Sequence, residues 1–447
     1  MPPTSERGAR PRAGTAGLTA AAAEPLASAA AVADITPLRA LHYDLARTGG
    51  LEPVAAPPYD VIDPGQRAAL LARSPYNVVA IDLPQGDDPY AHAAEELARW
   101  RAEGVVVADP EPALWALEQD YTGPDGRRRT RHGLFARVRV EDYGPGRIRP
   151  HERTHPGPKE DRLRLTRATR ANLSPIFALY DGDGWTPIAP HLGGPPAGEV
   201  TDEDGTTHRL WRVGDADAIG AVEAALRPAE LLIADGHHRY ETARVYADEV
   251  GGEGPHRYVL MCLVSLADPG LTIFPTHRLL TGLDDERRVA LREAIRRDWD
   301  VEEVAADALE PVPADDGRVR IGYLDAYHGR PLRLVLKDPA IAADALPGKP
   351  DAYRRLDTAV TEALLLQGAL GMSEDDISHL RGLDYARSTD EARDRVTSGD
   401  VQAGLFMGPA PVELVREVAA AGELMPPKST YFFPKVLTGL LFNPLED

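Results

Sequence analysis

Cysteine is almost absent: Cys262 is the only one in 447 residues, which excludes an internal disulfide and any multi-cysteine zinc site. Its neighbours, Tyr258-Val-Leu-Met-Cys-Leu-Val264, predict a buried strand. No run reaches the roughly 18 apolar residues that cross a bilayer. Residues 1–33 are rich in Ala, Pro, Gly and Arg, and Glu24 and Pro25 break their one apolar run. They read as a disordered tail and not as a secretion signal, so the cytoplasm is the expected location and no membrane is expected as a partner. Positive charge is also scarce. Lys and Arg number 50 against 70 Asp and Glu, a net charge of −20, which argues against nucleic acid as a partner. The Gly-x-Ser-x-Gly elbow, the His-Glu-x-x-His helix and the Gly-x-Gly-x-x-Gly fingerprint are all missing.

What remains is ordinary for a globular chain, at 43% hydrophobic and 27% charged residues, and long enough for two or three lobes. Strands are predicted at Asn77–Leu83, Ser174–Tyr180, Tyr258–Leu266, Leu332–Leu336 and Ala403–Met407, with a hairpin of Ala113–Tyr121 and Arg127–Val140. Helices are predicted at Tyr90–Glu103, Asp215–Leu226, His238–Val250, Glu286–Trp299, Asp357–Leu370 and Val412–Ala421. Strands and helices mix without a regular alternation, so the expected fold class is α+β with a mixed-sheet core and additional α/β lobes. The boundaries read as an N-terminal α+β lobe over 34–225, a core segment over 226–282 and a C-terminal α/β region over 283–447.

Three clusters carry chemistry. In Leu231-Leu-Ile-Ala-Asp-Gly-His-His-Arg-Tyr240 an apolar strand ends at a one-glycine turn that opens a helix. Gly236 permits a positive φ and close approach of a ligand. His237, His238 and Arg239 stand where helix N–H groups attract an anion, above all a phosphate. Asp235 at the strand end is suited to a divalent metal or to a base. The second cluster, His151 to Arg162, offers Glu152 as general base and Lys159 and Arg162 as an anion clamp, with His151 and His155 beside them. Its prolines predict a shaped loop. In the third, Met425-Pro-Pro-Lys-Ser-Thr-Tyr-Phe-Phe-Pro-Lys435, Lys428 and Ser429 are the phosphate-binding candidates, although the upstream glycines of a P-loop are missing. Tyr59-Asp60 and Pro275-Thr-His-Arg278 are lesser candidates, the latter expected to bring His277 and Arg278 beside the glycine turn.

Ala56-Pro-Pro-Tyr-Asp-Val-Ile62, His151-Glu-x-Thr154 with Lys159 and Asp161-Arg162, Asn172-Leu-Ser-Pro-Ile-Phe177, Ala234–Tyr240, Pro275–Arg278 and Met425–Thr430 together resemble a bacterial family, domain of unknown function 1015. The likeness runs from about residue 34 over nearly the whole chain. The Asp-Gly-His-His-Arg segment is also similar to the phosphate loop of the ParB and sulfiredoxin superfamily, and most of all to the Asp-Gly-His-x-Arg loop of free-serine kinases. That resemblance implies that Gly236, His237, His238 and Arg239 hold nucleotide phosphates, with Asp235 by the metal or the substrate hydroxyl. Sulfiredoxins carry a cysteine in this box, where His237 stands here, so their redox chemistry is not expected. The expected function is a phosphotransferase that uses ATP or ADP with Mg²⁺ on a small hydroxylated metabolite, serine-like by analogy. Its catalytic residues would be Glu152, Asp235 and His237. A non-catalytic nucleotide- or phosphometabolite-binding regulator is the alternative, and a ParB-like DNA-partition relative is a third.

Overall fold

The computed structural model describes residues 33–123, 126–145, 147–152, 156–312 and 316–446. His155 and all of the expected tail except Ala33 lie outside the described residues. The backbone N–H of Ala33 donates to the Arg227 carbonyl at 3.1 Å.

Two sheets organise the chain, and the fold is α+β as expected. The larger is a mixed nine-stranded sheet. Along it, strands run Ile148–Arg149, Leu231–Asp235, Ile176–Tyr180, Tyr258–Ser265, Arg128–Arg139, Leu114–Thr122, Thr207–Val213 and Gly198–Thr201. Ile35–Thr36 pairs separately with Arg128–Arg139. Two pairs are parallel: Leu231–Asp235 with Ile148–Arg149, and Tyr258–Ser265 with Ile176–Tyr180. Ile176–Tyr180 is buried at every position, which is how a strand covered on both faces reads: continuously apolar without alternation.

The smaller sheet is antiparallel, six-stranded, and ordered Trp299–Glu303, Leu332–Leu336, Arg320–Asp325, Ala403–Phe406, His277–Leu280 and Leu383–Ala386. Beyond it the chain returns to the larger sheet. Tyr431–Phe433 pairs with Thr272–Phe274, and Asn443–Pro444 pairs with Ala171–Asn172. One apolar cluster accordingly mixes Phe177, Leu232 and Leu260 with Met425, Phe432 and Val436. Among the described residues no helix is long and apolar enough to cross a membrane.

Two expectations are corrected. Asn77–Leu83 is not a strand but leads into a short helix, Val79–Asp82. The Asn77 side chain accepts from the Val79 N–H at 3.1 Å and donates to the Pro53 carbonyl at 2.9 Å, so its local hydrogen bonds turn a backbone that its apolar residues would leave extended. The second is the His151–Arg162 segment, which runs into a helix over Pro156–Thr169 instead of forming a loop. Pro156 and Pro158 fall in the first turn, where a missing N–H breaks no helical bond.

Cys262 lies in its expected strand and is fully buried. It faces Gly133, where a Cβ would come within 2.8 Å of the sulfur. Burial pushes the thiol up to about 12. Native protein is therefore expected to leave Cys262 unmodified by a thiol-selective reagent at pH 8 and to react fully once denatured. Rapid labelling of the native chain would contradict the packing.

Candidate functional site

The strand Leu231–Asp235 is buried up to Ala234 and delivers Asp235 to the turn. Gly236 takes φ 97° and ψ 28°, and the helix His237–Val250 starts from it. Glycine is required twice over. The φ lies in the left-handed region, and a Cβ would sit 2.9 Å from Nε of Arg239. Among the described residues no side chain caps this helix, and its first turn contains no acidic residue. Its leading N–H groups and the positive end of its dipole are thus left to other partners.

Asp235 is held between two cations. Its Oδ1 accepts from Lys435 Nζ at 2.9 Å and its Oδ2 from Arg239 Nη2 at 2.5 Å. Those two charges outweigh the effect of burial and hold its carboxyl well below the usual range. Arg239 also donates through Nη1 to the Pro175 carbonyl, while its Nε is buried without a partner among the described residues.

The histidines add a second layer. His151 Nδ1 donates to the Ile233 carbonyl at 2.6 Å, and its other ring nitrogen is hydrogen-bonded to Thr430 Oγ1 at 2.8 Å. The His151 backbone N–H donates to His237 Nε2 at 3.2 Å, which leaves the His237 proton on Nδ1. Burial, reinforced by His151 nearby, drives the His237 pKa well below its ordinary value. Glu152 is half-buried, with Oε1 3.7 Å from His151 Nε2. Segments from three distant parts of the sequence therefore meet at the turn: His151–Glu152, Asp235–Arg239 and Thr430–Lys435.

Other expected residues are placed differently. Lys159 lies on the Pro156–Thr169 helix, and its carbonyl accepts from Thr242 Oγ1 on the loop helix at 3.4 Å. Arg162 is buried, with its guanidinium on Asp82 at 3.1 Å, on Asp161 at 2.6 Å and 4.2 Å from the Tyr59 ring centre. Arg162 and Arg239 line one cavity of about 30 Å³ together with Asp82, Asn172, Ser174 and Thr242. His238 is half-buried on the helix.

Ser429 is buried and donates to the Pro426 carbonyl at 2.7 Å, with Thr358 Oγ1 at 3.0 Å, while Lys428 is exposed with φ 55°. The lysine on Asp235 is Lys435, seven residues further along the same stretch. His277 and Arg278 belong to the six-stranded sheet. His277 bonds Thr389 and the Met407 N–H, and Arg278 donates to the Thr276 and Pro427 carbonyls. Sequence reasoning singled out neither Lys435, Thr430 nor Asp82. Lysine at the end of an aromatic strand was the one available signal, and it does not say which of two lysines turns inward.

A divalent cation on Asp235 fits poorly, since both carboxylate oxygens already face cations. Among the described residues no group of three or more His, Cys, Asp or Glu converges as a metal site.

Two outcomes follow from the buried charges. Lys435→Met leaves Asp235 with one partner and is expected to destabilise the fold by about 3 kcal/mol in chemical denaturation. A change within about 0.5 kcal/mol, usual for a surface lysine, would contradict the ion pair. The second concerns His237, which stays neutral when folded, whereas the unfolded imidazole titrates near about 6.5. The unfolded chain takes up the proton first, so this contribution is complete above that pH and is lost as the pH falls. The loss is about 1.4 kcal/mol per pH unit until the folded group titrates. His208, lowered by burial, and His277, pushed down to about 3, act in the same direction. His237→Gln is expected to remove only its own share of the slope between pH 6.5 and 5, measured as unfolding free energy.

Comparison with known proteins adds a family. No curated protein matches this chain in sequence. Among solved structures, a conserved hypothetical protein from Pyrococcus furiosus aligns at 14% identity over 67% of this chain and 90% of its own, with a TM-score of 0.32. A free serine kinase in complex with AMP aligns at 14% identity over 67% of this chain and 86% of its own, with a TM-score of 0.34. A C-terminally truncated SbnI from Staphylococcus aureus aligns at 13% identity over 70% of this chain and 87% of its own, with a TM-score of 0.35. These structural likenesses are weak. A family model described as a protein of unknown function (DUF1015) matches residues 35–359, a span that includes the glycine turn and the His151 segment, and the chain belongs to that family.

Proposed function

We propose that the Gly236–Arg239 turn binds the phosphates of ATP or ADP and that the chain passes a phosphoryl group to the hydroxyl of a small metabolite. A serine-like acceptor is favoured by the resemblance of Asp235–Arg239 to the loop of free-serine kinases. The observation that carries the reading is the helix start, uncapped by any side chain among the described residues, with Lys435 and the Nε of Arg239, which has no partner among those residues, beside it. Helix N–H groups, a guanidinium and an ammonium converging on one turn suit phosphate oxygens.

The side chains divide the work. Asp235, kept ionised, is too weak a base to take a proton and instead positions Lys435 and Arg239. His237 has Nε2 occupied and supports His151. Glu152 is left as the base. It takes the proton from the acceptor hydroxyl, whose oxygen forms the new bond to phosphorus as the bond to the leaving phosphate oxygen breaks. Arg239, Lys435 and the helix N–H groups stabilise the charge on the departing group. Mg²⁺ would arrive on the nucleotide's own phosphates, and no step above depends on it.

The test is a melting-temperature series with AMP, ADP and ATP, followed by turnover with a panel of hydroxylated amino acids and sugars. ADP or ATP is expected to stabilise the protein. Glu152→Gln is expected to keep that stabilisation while lowering turnover about a hundredfold or more. Stabilisation without turnover on any acceptor would refute transfer and leave a nucleotide-binding regulator. No stabilisation by any phosphate ligand would overturn the whole reading.

A further inference from the structure

The ring of Tyr431 brings together cations from two separate parts of the chain. The Arg387 guanidinium carbon and the Lys435 ammonium each lie 4.8 Å from its centroid. Lys435 is the residue on Asp235, whereas Arg387 directly follows the Leu383–Ala386 strand of the six-stranded sheet. The ring itself is anchored by the pairing of Tyr431 with Phe274. An aromatic face lowers the energy of a cation held against it.

Arg387 differs from the other arginines near the turn. Arg162 and Arg239 are paired with carboxylates. Arg387 is exposed, and among the described residues its guanidinium forms no ion pair and donates no hydrogen bond, although its backbone N–H donates to Glu391 Oε2 at 3.2 Å. A guanidinium held over a ring keeps a planar fork of donors, suited to a bidentate bond with a carboxylate or phosphate. Lys435 has two N–H groups beyond the one that meets Asp235. Two carboxylates act on this pair without bridging to it: Asp204, on the turn between Gly198–Thr201 and Thr207–Val213, acts on Arg387, and Asp60 acts on Lys435. Their negative charge disfavours an extended polyanion over one compact anionic group.

We propose that Arg387 and Lys435, arranged around Tyr431, form a second anion subsite that takes one oxyanion of the ligands held at the glycine turn. The inference rests on the phosphate-binding reading and adds to it a residue from the other sheet. The oxyanion is either the terminal phosphate of the nucleotide or the carboxylate of the acceptor.

Calorimetric titration of the full chain with ADP, ATP, O-phosphoserine and phosphoethanolamine separates the two sources, since the last probe lacks the carboxylate. Arg387→Ala is expected to keep the melting temperature of the free protein, as exposed substitutions do, and to weaken at least one contact by about tenfold. Weakened ATP with ADP unchanged assigns the terminal phosphate. Weakened O-phosphoserine with phosphoethanolamine unchanged assigns the carboxylate. Arg387→Lys retains the charge without the planar fork and is expected to recover the affinity only in part. If Arg387→Ala also lowers stability, the Lys variant restores the fold and is read in its place. Wild-type binding with every affinity unchanged in both variants overturns this subsite alone, whereas a wild-type chain that binds none of the four probes overturns the phosphate-binding reading with it.

Discussion

A carboxylate at the end of a buried strand has to be neutralised by its surroundings, and Asp235 meets that demand in a way that shapes the molecule around it. Arg239, one helical turn on, supplies one cation and sets the close approach that only glycine allows at position 236. The second cation comes from Lys435, 200 residues later. The C-terminal stretch must therefore lie against the larger sheet. The same stretch is held through its backbone: Gln119 donates to the Lys435 carbonyl at 2.9 Å and buried Arg131 to the Pro434 carbonyl at 2.5 Å. A buried ion is costly when left alone, and several partners acting together make its position stable.

Around this charge cations and polar donors gather near the turn. The chain is strongly acidic, yet Arg239 and Lys435 flank Asp235, Arg387 shares the Tyr431 ring with Lys435, and the helix adds its positive end. The neighbouring histidines contribute shape instead of charge. His237 is kept neutral by burial, and His151 links the Ile233 carbonyl to Thr430. The donors at the turn are already oriented by hydrogen bonds and stacking, as the proposed phosphate site requires. Tyr431 extends that arrangement toward the smaller sheet, because its ring lies 4.8 Å both from Lys435 and from Arg387, the residue after the Leu383–Ala386 strand.

Much of this was legible in the amino-acid order wherever the determining contacts are local. The apolar run Leu231–Ala234, the glycine after Asp235 and the polar helix start mark strand, turn and helix by periodicity and φ preference alone. The Tyr258–Ser265 strand and the hairpin of Leu114–Thr122 with Arg128–Arg139 are of the same kind. Even the two misread segments have local causes, in the hydrogen bonds of Asn77 and in prolines placed within a first helical turn.

The pairing of groups distant in sequence is a different matter. Nothing in the order of residues says that Lys435 and not Lys428 meets Asp235, that Ser429 turns to Thr358, that Arg162 pairs with Asp82, or that His151 reaches Thr430, 279 positions away. The sequence by itself determined the strand–glycine–helix turn and the chemical types gathered there, because backbone propensity and hydrophobic period act over a few residues. Only the tertiary structure decided which charges stand together. That choice depends on sheet pairing and on the energy of burying an ion, and both are settled by residues hundreds of positions apart.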